Sequence, residues 1–164
     1  MTAKLRFRSR HWPAQGNSVM PESLTYAVHK PKLFPGTRRM IRILLAEDED
    51  AMRTYLARAL ENAGYSVTAV DRGTAAVPLL EAEHFDLLLS DIVMPEMDGI
   101  ELAQRCAEIS PATKIMFITG FAAVTLKANR EAPQARVLSK PFHLKDLVLE
   151  VERVFEDPAV FGQL

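Results

Sequence analysis

Four short apolar runs, each followed at once by polar or charged residues, constrain the fold of this chain more than any other feature. A short, mostly apolar run is typical of a strand that is buried on both faces of a sheet. The carboxyl ends of parallel strands meet at one sheet edge, so the residues that follow the runs are expected to lie together. The runs and their following residues are 41–46 with Glu47 and Asp48, 85–90 with Asp91, 115–118 with Thr119, and 137–139 with Lys140.

The segments between these runs place apolar residues at helical spacing, so strands and helices alternate along the chain. Five strand–helix units with short connections predict an α/β fold, a doubly wound parallel sheet with helices on both faces. The strands are predicted at 41–46, 65–70, 85–90, 114–119 and 136–139, and the helices at 51–63, 74–83, 100–109, 122–129 and 144–155.

Local signals refine two of these helices. Asp50 is the predicted N-cap of the first helix, and Gly64 is expected just beyond its end. Pro78 lies within the second predicted helix. Proline is best tolerated in a first turn, so this helix is expected to begin late or to bend.

The composition changes abruptly at Met40. Residues 1–39 contain eight Lys or Arg, one acid and four prolines, whereas the remainder carries an excess of eight acids. The first segment cannot bury enough apolar surface to offset its loss of conformational entropy. We therefore predict a basic, disordered extension at 1–39 that does not contribute to the fold, a folded domain at 40–157 and a short tail at 158–164.

The basic extension admits several interpretations. An Arg-rich, acid-poor start is typical of transit peptides, although the spread-out prolines weaken that reading. Scattered positive charge is also compatible with a nucleic-acid-binding arm, but the signal is weak, and no direct nucleic-acid partner is predicted. Met40 directly precedes the first strand, which favours a start codon assigned too far upstream, with Met40 as the native first residue.

Bulk composition excludes several classes of protein. Cys106 is the single cysteine, so no intramolecular disulfide can form and a reducing, cytoplasmic location is expected. No apolar stretch approaches the ~18 residues of a membrane span, so no membrane partner is predicted.

Carboxylates at two strand ends repel one another unless a cation lies among them. Mg²⁺ prefers oxygen ligands and binds through one or two carboxylates plus water. With a hydroxyl and an ammonium at the neighbouring strand ends, this edge is suited to handling a phosphoryl group. We predict that Asp91 carries that group and that the protein works as a switch.

The motifs at these strand ends resemble the receiver domains of bacterial two-component response regulators. They are Glu47-Asp48, Asp91 with Met94-Pro95-Glu96-Met97-Asp98-Gly99, Thr119-Gly120, and Lys140-Pro141-Phe142. The resemblance covers roughly residues 40–157. It implies a flavodoxin-like five-stranded sheet in the order 2-1-3-4-5, a cis Lys140–Pro141 peptide, and a histidine kinase or phosphotransfer protein as phosphoryl donor.

The resemblance also implies a role for each site residue. Asp91 is then the phosphoacceptor. Mg²⁺ is held by Asp48, Asp91 and the Val93 carbonyl, with Glu47 acting through water. Thr119 bonds to the phosphoryl group, and Lys140 pairs with it.

Two positions depart from the family pattern. Many receivers carry a polar residue where this chain has Val93, and an aromatic switch residue where it has Val137. The second departure leaves open how a signal crosses the domain.

Only nine residues follow Phe155, so a stand-alone receiver with a protein target is expected. Two short stretches, 119–124 and 137–144, are similar to the single-domain cell-cycle regulator of alphaproteobacteria, which implies a Clp-type protease as that target. The alternatives are a Mg²⁺-dependent phosphatase with an aspartyl-phosphate intermediate, which usually needs an acid where Val93 stands, and a non-phosphorylated interaction module. No enzymatic turnover is predicted.

Overall fold

The computed structural model describes residues 30–36 and 38–156. Their five strands form one parallel sheet in the order 2-1-3-4-5, which confirms the predicted fold. The elements are β1 (Arg42–Ala46), α1 (Asp50–Asn62), β2 (Ser66–Val70), α2 (Gly73–Ala82), β3 (Leu87–Asp91), α3 (Gly99–Ile109), β4 (Lys114–Thr119), α4 (Ala122–Glu131), β5 (Arg136–Ser139) and α5 (Leu144–Glu156).

The central strands are apolar on both faces because helices cover both sides of the sheet. In β1, Ile43 and Leu45 pack in a cluster with residues of α1 and α5. The alternate residues Leu44 and Ala46 pack in a second cluster with α2 and α3. A third cluster joins Phe117 of β4 to α3 and α4. Continuous apolar strands are what a doubly covered parallel sheet requires.

The helix boundaries correct two local predictions. Asp50 is the first residue of α1 rather than its N-cap, and Glu49 holds the cap position without a side-chain hydrogen bond. Gly64 follows the helix with φ +96°, as predicted for a residue that ends a helix. Pro78 lies inside α2, which begins at Gly73, so the helix does not begin late at the proline, and the alternative bend stays a prediction.

Residues just before Met40 contact the domain, contrary to the expectation that residues 1–39 stand apart from it. The Lys32 amide donates to the Gly64 carbonyl at 2.8 Å, and the Ile41 amide donates to the Lys32 carbonyl at 2.8 Å. Leu33 and Met40 form an antiparallel bridge. Backbone pairing with β1 and its neighbours thus begins about ten residues earlier than composition indicated.

Side chains of this segment reach the amino-terminal edge of the sheet. The Arg39 guanidinium binds both carboxylate oxygens of Asp86 at 2.7 and 2.8 Å, and Asp86 is 2% exposed. Phe34 packs edge-on against Phe155 of α5, with ring centroids 6.4 Å apart. We name residues 30–36 and 38–39 the N-terminal clasp. The predictions for 1–29 and 158–164 lie outside the described residues.

Among the residues that the structure describes, no helix combines the length and apolar character that crossing a bilayer requires.

Candidate functional site

Strand register brings the predicted site residues to the carboxyl edge of the sheet. β1 pairs with β3, so Glu47 follows Ala46 beside Ser90 and Asp91. β3 pairs with β4 and β4 with β5, which places Thr119 opposite Ser139, directly before Lys140. The predicted gathering of these residues therefore follows from parallel pairing without a shift in register.

Three carboxylates form a compact cluster at this edge. Glu47, Asp48 and Asp91 each offer an oxygen, and these oxygens all lie within 4.8 Å of one another. Glu47 is 1% exposed and Asp91 is 7% exposed, whereas Asp48 faces solvent. Burial and the neighbouring Asp91 charge raise the pKa of Glu47, although Lys140 acts in the opposite direction.

The Lys140 ammonium bridges two members of this cluster. Its Nζ atom lies 2.8 Å from Asp91 Oδ2 and 3.1 Å from Glu47 Oε2. Burial by itself lowers the pKa of Lys140, but its bonds and charge interactions with the two carboxylates outweigh burial and raise the pKa. Lys140 forms a cis peptide bond with Pro141, in agreement with the resemblance. The ammonium offsets part of the repulsion between the carboxylates.

Backbone groups fix the orientation of Asp91. The Val93 amide donates to Asp91 Oδ1 at 3.1 Å, and the Ser90 hydroxyl donates to the Asp91 carbonyl at 2.8 Å. A Cβ on Gly99 would lie 2.1 Å from the Asp91 carbonyl oxygen. Glycine is therefore required at position 99, because the start of α3 packs directly on the backbone of this aspartate.

The Thr119 hydroxyl is buried and already has a partner. It accepts a hydrogen bond from the Phe121 amide at 3.2 Å, and Thr119 is 1% exposed. The Thr119 carbonyl accepts from the Lys140 amide at 2.7 Å, so these two site residues are tied together through the backbone. Val93 and Phe121 are both largely exposed beside these groups.

The donor set fits a hard divalent cation. All three side chains offer carboxylate oxygens, the ligand type that Mg²⁺ prefers. The Lys140 ammonium already lies between two of them, which shows that the cluster accommodates positive charge.

A family comparison agrees with this geometry. The sequence pattern of the response regulator receiver domain matches residues 43–152. The chain belongs to the response regulator receiver family. Receiver domains bind Mg²⁺ at an acidic pocket, and the acidic cluster described above is the matching feature here.

Individual relatives support the same assignment. The chain is 63% identical over 116 residues to the response regulator receiver protein CpdR of Brucella abortus, a match that covers 70% of this chain and 97% of that protein. It is 38% identical over 117 residues to the sensor kinase CckA of the same organism, covering 70% of this chain but only 12% of the kinase. A receiver protein of Sinorhizobium medicae superposes with a TM-score of 0.65 at 32% identity, covering 71% of this chain and 94% of that one.

Sequence reasoning missed one residue of this receiver site. Arg53 of α1 contacts the connection between β1 and α1, where its guanidinium donates to the backbone carbonyl of Glu47. Its position three residues after Asp50, with which it forms an ion pair, is the signal that was available. That spacing identifies an ion pair along the helix but does not reveal contacts with backbone carbonyls.

Proposed function

We propose that Asp91 accepts a phosphoryl group and that the chain works as a phosphorylation-dependent signalling switch. The observation that carries this proposal is the Lys140 ammonium, held between Asp91 and Glu47 within a three-carboxylate cluster. An aspartyl oxygen that attacks phosphorus needs nearby positive charge, because the transition state spreads negative charge over the equatorial oxygens. Lys140 supplies such charge from within the chain.

The acidic cluster is proposed to bind Mg²⁺ through Asp48, Asp91 and the Val93 carbonyl, with Glu47 acting through water. When bound, the ion offsets charge on the transferring phosphoryl group. The Val93 amide keeps Asp91 Oδ1 fixed, while Oδ2 faces Lys140. The chain itself thus orients the two aspartate oxygens differently before any donor arrives.

Thr119 is proposed to bond to the phosphoryl group once Asp91 carries it. Its hydroxyl accepts a hydrogen bond from the Phe121 amide, which leaves its own hydrogen available to donate to a phosphoryl oxygen. Gly120, between these two residues, has no side chain to obstruct the approach of a donor. The β4–α4 connection, which carries the Phe121 amide, is therefore proposed to respond to phosphorylation.

The donor is proposed to be a histidine kinase or a phosphotransfer protein. The output is proposed to be a surface offered to another protein in the cytoplasm, and the local resemblance of residues 119–124 and 137–144 supports a Clp-type protease as that protein. Proteins recovered with Asp91→Ala but lost with the phosphorylated chain would identify that partner. Recovery of the same proteins with both forms contradicts a switch in this interaction.

Acetyl phosphate with Mg²⁺, followed by intact mass measurement, separates the switch from its rivals. A single stable phosphoryl group per chain is expected. Continuous release of inorganic phosphate would instead support the Mg²⁺-dependent phosphatase, in which Val93 stands where an acid is usually needed. An unchanged mass would support a non-phosphorylated interaction module. Omission of Mg²⁺ is the control and is expected to prevent labelling.

The phosphoryl group is expected to persist longer than in receivers with a polar residue at position 93. Hydrolysis needs an aligned water, and the exposed Val93 side chain offers it no hydrogen bond, while Phe121 adds apolar bulk nearby. One such bond is worth about 1 kcal/mol, so Val93→Asn should release phosphate several-fold faster. Decay of the purified phosphorylated proteins measures this rate.

Val93→Ala is the matched control for this measurement, since it removes bulk without adding a polar group. Equal decay of the Val93→Asn variant and the parent would contradict the role given to the missing hydrogen bond. Equally faster phosphate release from the Val93→Asn and Val93→Ala variants would assign the effect to the bulk of the Val93 side chain alone.

A further inference from the structure

Arg53 binds the backbone of Glu47 and Asp48, which supply two of the three carboxylates of the acidic cluster. One terminal nitrogen of its guanidinium, Nη1, donates to the Glu47 carbonyl at 2.9 Å and lies 3.3 Å from the Asp48 carbonyl. Its side chain is only 19% exposed. A planar guanidinium with several fixed donors is suited to holding two adjacent carbonyls at once.

The backbone of the same residue completes the contact. The Arg53 amide donates to the Glu49 carbonyl at 2.8 Å, within the first turn of α1. One residue therefore binds three consecutive carbonyl groups, at positions 47, 48 and 49. These carbonyls belong to the connection between β1 and α1, which carries the Glu47 and Asp48 side chains.

The charge of Arg53 acts differently from its hydrogen bonds. A cation near the acidic cluster repels Mg²⁺. If charge were the only factor, removal of the Arg53 guanidinium would therefore strengthen Mg²⁺ binding. Arg53 is paired with Asp50, which offsets much of its field at the cluster. The hydrogen bonds to the carbonyls are thus expected to outweigh the residual repulsion.

We infer that Arg53 is a positioning residue for divalent-cation binding, which acts by fixing the β1–α1 connection so that Glu47 and Asp48 face Asp91. This inference rests on the proposed Mg²⁺ site. Partners that orient metal ligands from outside the ligand set commonly contribute 10–100-fold to metal affinity. Since Arg53 binds main-chain carbonyls and not a ligand atom, we expect its contribution to Mg²⁺ affinity to be about tenfold, at the lower end of this range.

The test is titration of the full chain with MgCl₂ by calorimetry, without any phosphodonor. Arg53→Ala should bind Mg²⁺ about tenfold more weakly than the parent. Arg53→Lys keeps the charge but has a single donor group, so it should fall between the two. Arg58→Ala, on the exposed side of the same helix, is the matched control and should bind like the parent.

Thermal unfolding without Mg²⁺ separates positioning from stability. A merely structural role would lower the unfolding temperature of Arg53→Ala and leave Mg²⁺ affinity in the folded protein unchanged. Unchanged or tighter Mg²⁺ binding in Arg53→Ala overturns the inference, and so does parental affinity in Arg53→Lys if the Ala variant does not fold. Absence of Mg²⁺ binding by the parent would instead contradict the proposed metal site itself.

Discussion

Asp91→Asn is expected to abolish labelling by acetyl phosphate. The amide is not a nucleophile toward phosphorus, and it also removes one anionic oxygen from the cluster that includes Glu47 and Asp48. Asn keeps the shape of the side chain and can still accept from the Val93 amide, which binds Asp91 Oδ1. Loss of labelling would therefore report chemistry rather than misfolding. Intact mass and thermal unfolding, measured on the same sample, check both points.

Asp71→Asn provides a matched control for this prediction. Asp71 directly follows β2 and is a carboxylate at the same edge of the sheet, but it pairs with Arg72 rather than with the cluster. Full labelling of this variant is expected. Labelling of the Asp91→Asn protein at another residue would contradict the assignment of Asp91 as the acceptor.

The sheet could be predicted because its signals are local and repeated. Short apolar runs separated by helical patterns are typical of a parallel sheet. The polar residues that directly follow the strands then lie together at the carboxyl edge of that sheet. The N-cap at Asp50 and a late start of α2 at Pro78 were wrong. A cap or a proline adds only a local preference, and packing of the whole helix on the sheet can override it.

The acidic cluster was predictable for the same reason, since strand ends converge. The role of Arg53 could not be predicted, because its partners are backbone carbonyls. Every residue has a carbonyl, so such contacts give no signal in the sequence. The N-terminal clasp was missed for a related reason. Prolines and positive charge dominate the average composition of residues 1–39. That average hides Phe34 and Arg39, whose contacts depend on specific partners.

Loss of the N-terminal clasp is expected to destabilise the domain. A chain beginning at Met40 lacks Arg39, which binds both oxygens of the buried Asp86 carboxylate. Removing one partner of a buried ion pair typically costs 3–5 kcal/mol. Asp86 still accepts a hydrogen bond from the Arg42 amide at 2.8 Å, and the Arg39 side chain is partly exposed. The loss of unfolding free energy should therefore be smaller than this range. Adding the lost contact between Phe34 and Phe155, we expect roughly 3 kcal/mol in total.

Thermal unfolding of three chains measures this cost. A chain beginning at Lys30 should unfold at the same temperature as the full-length protein, since residues 1–29 are predicted not to contribute to the stability of the fold. A chain beginning at Met40 should unfold on the order of 10 °C lower. Arg39→Met in the full chain should reproduce a large part of that loss. Equal unfolding temperatures for all three chains would show that the clasp contacts contribute no net stability.

The pH dependence of this loss separates ion pairs, of which Arg39 with the buried Asp86 is the main one, from apolar contacts. Burial, the largest influence, raises the pKa of Asp86, but Arg39 and the Arg42 amide outweigh it and lower the pKa below its usual value. A carboxyl whose pKa is lowered by folding stabilises the protein above its unfolded pKa of about 3.9, and that stability is lost as pH falls through the folded pKa. The difference in unfolding free energy between the full chain and the chain beginning at Met40 should thus be largest near neutral pH and shrink in acid. A difference independent of pH would assign the loss to apolar contacts such as Phe34 with Phe155.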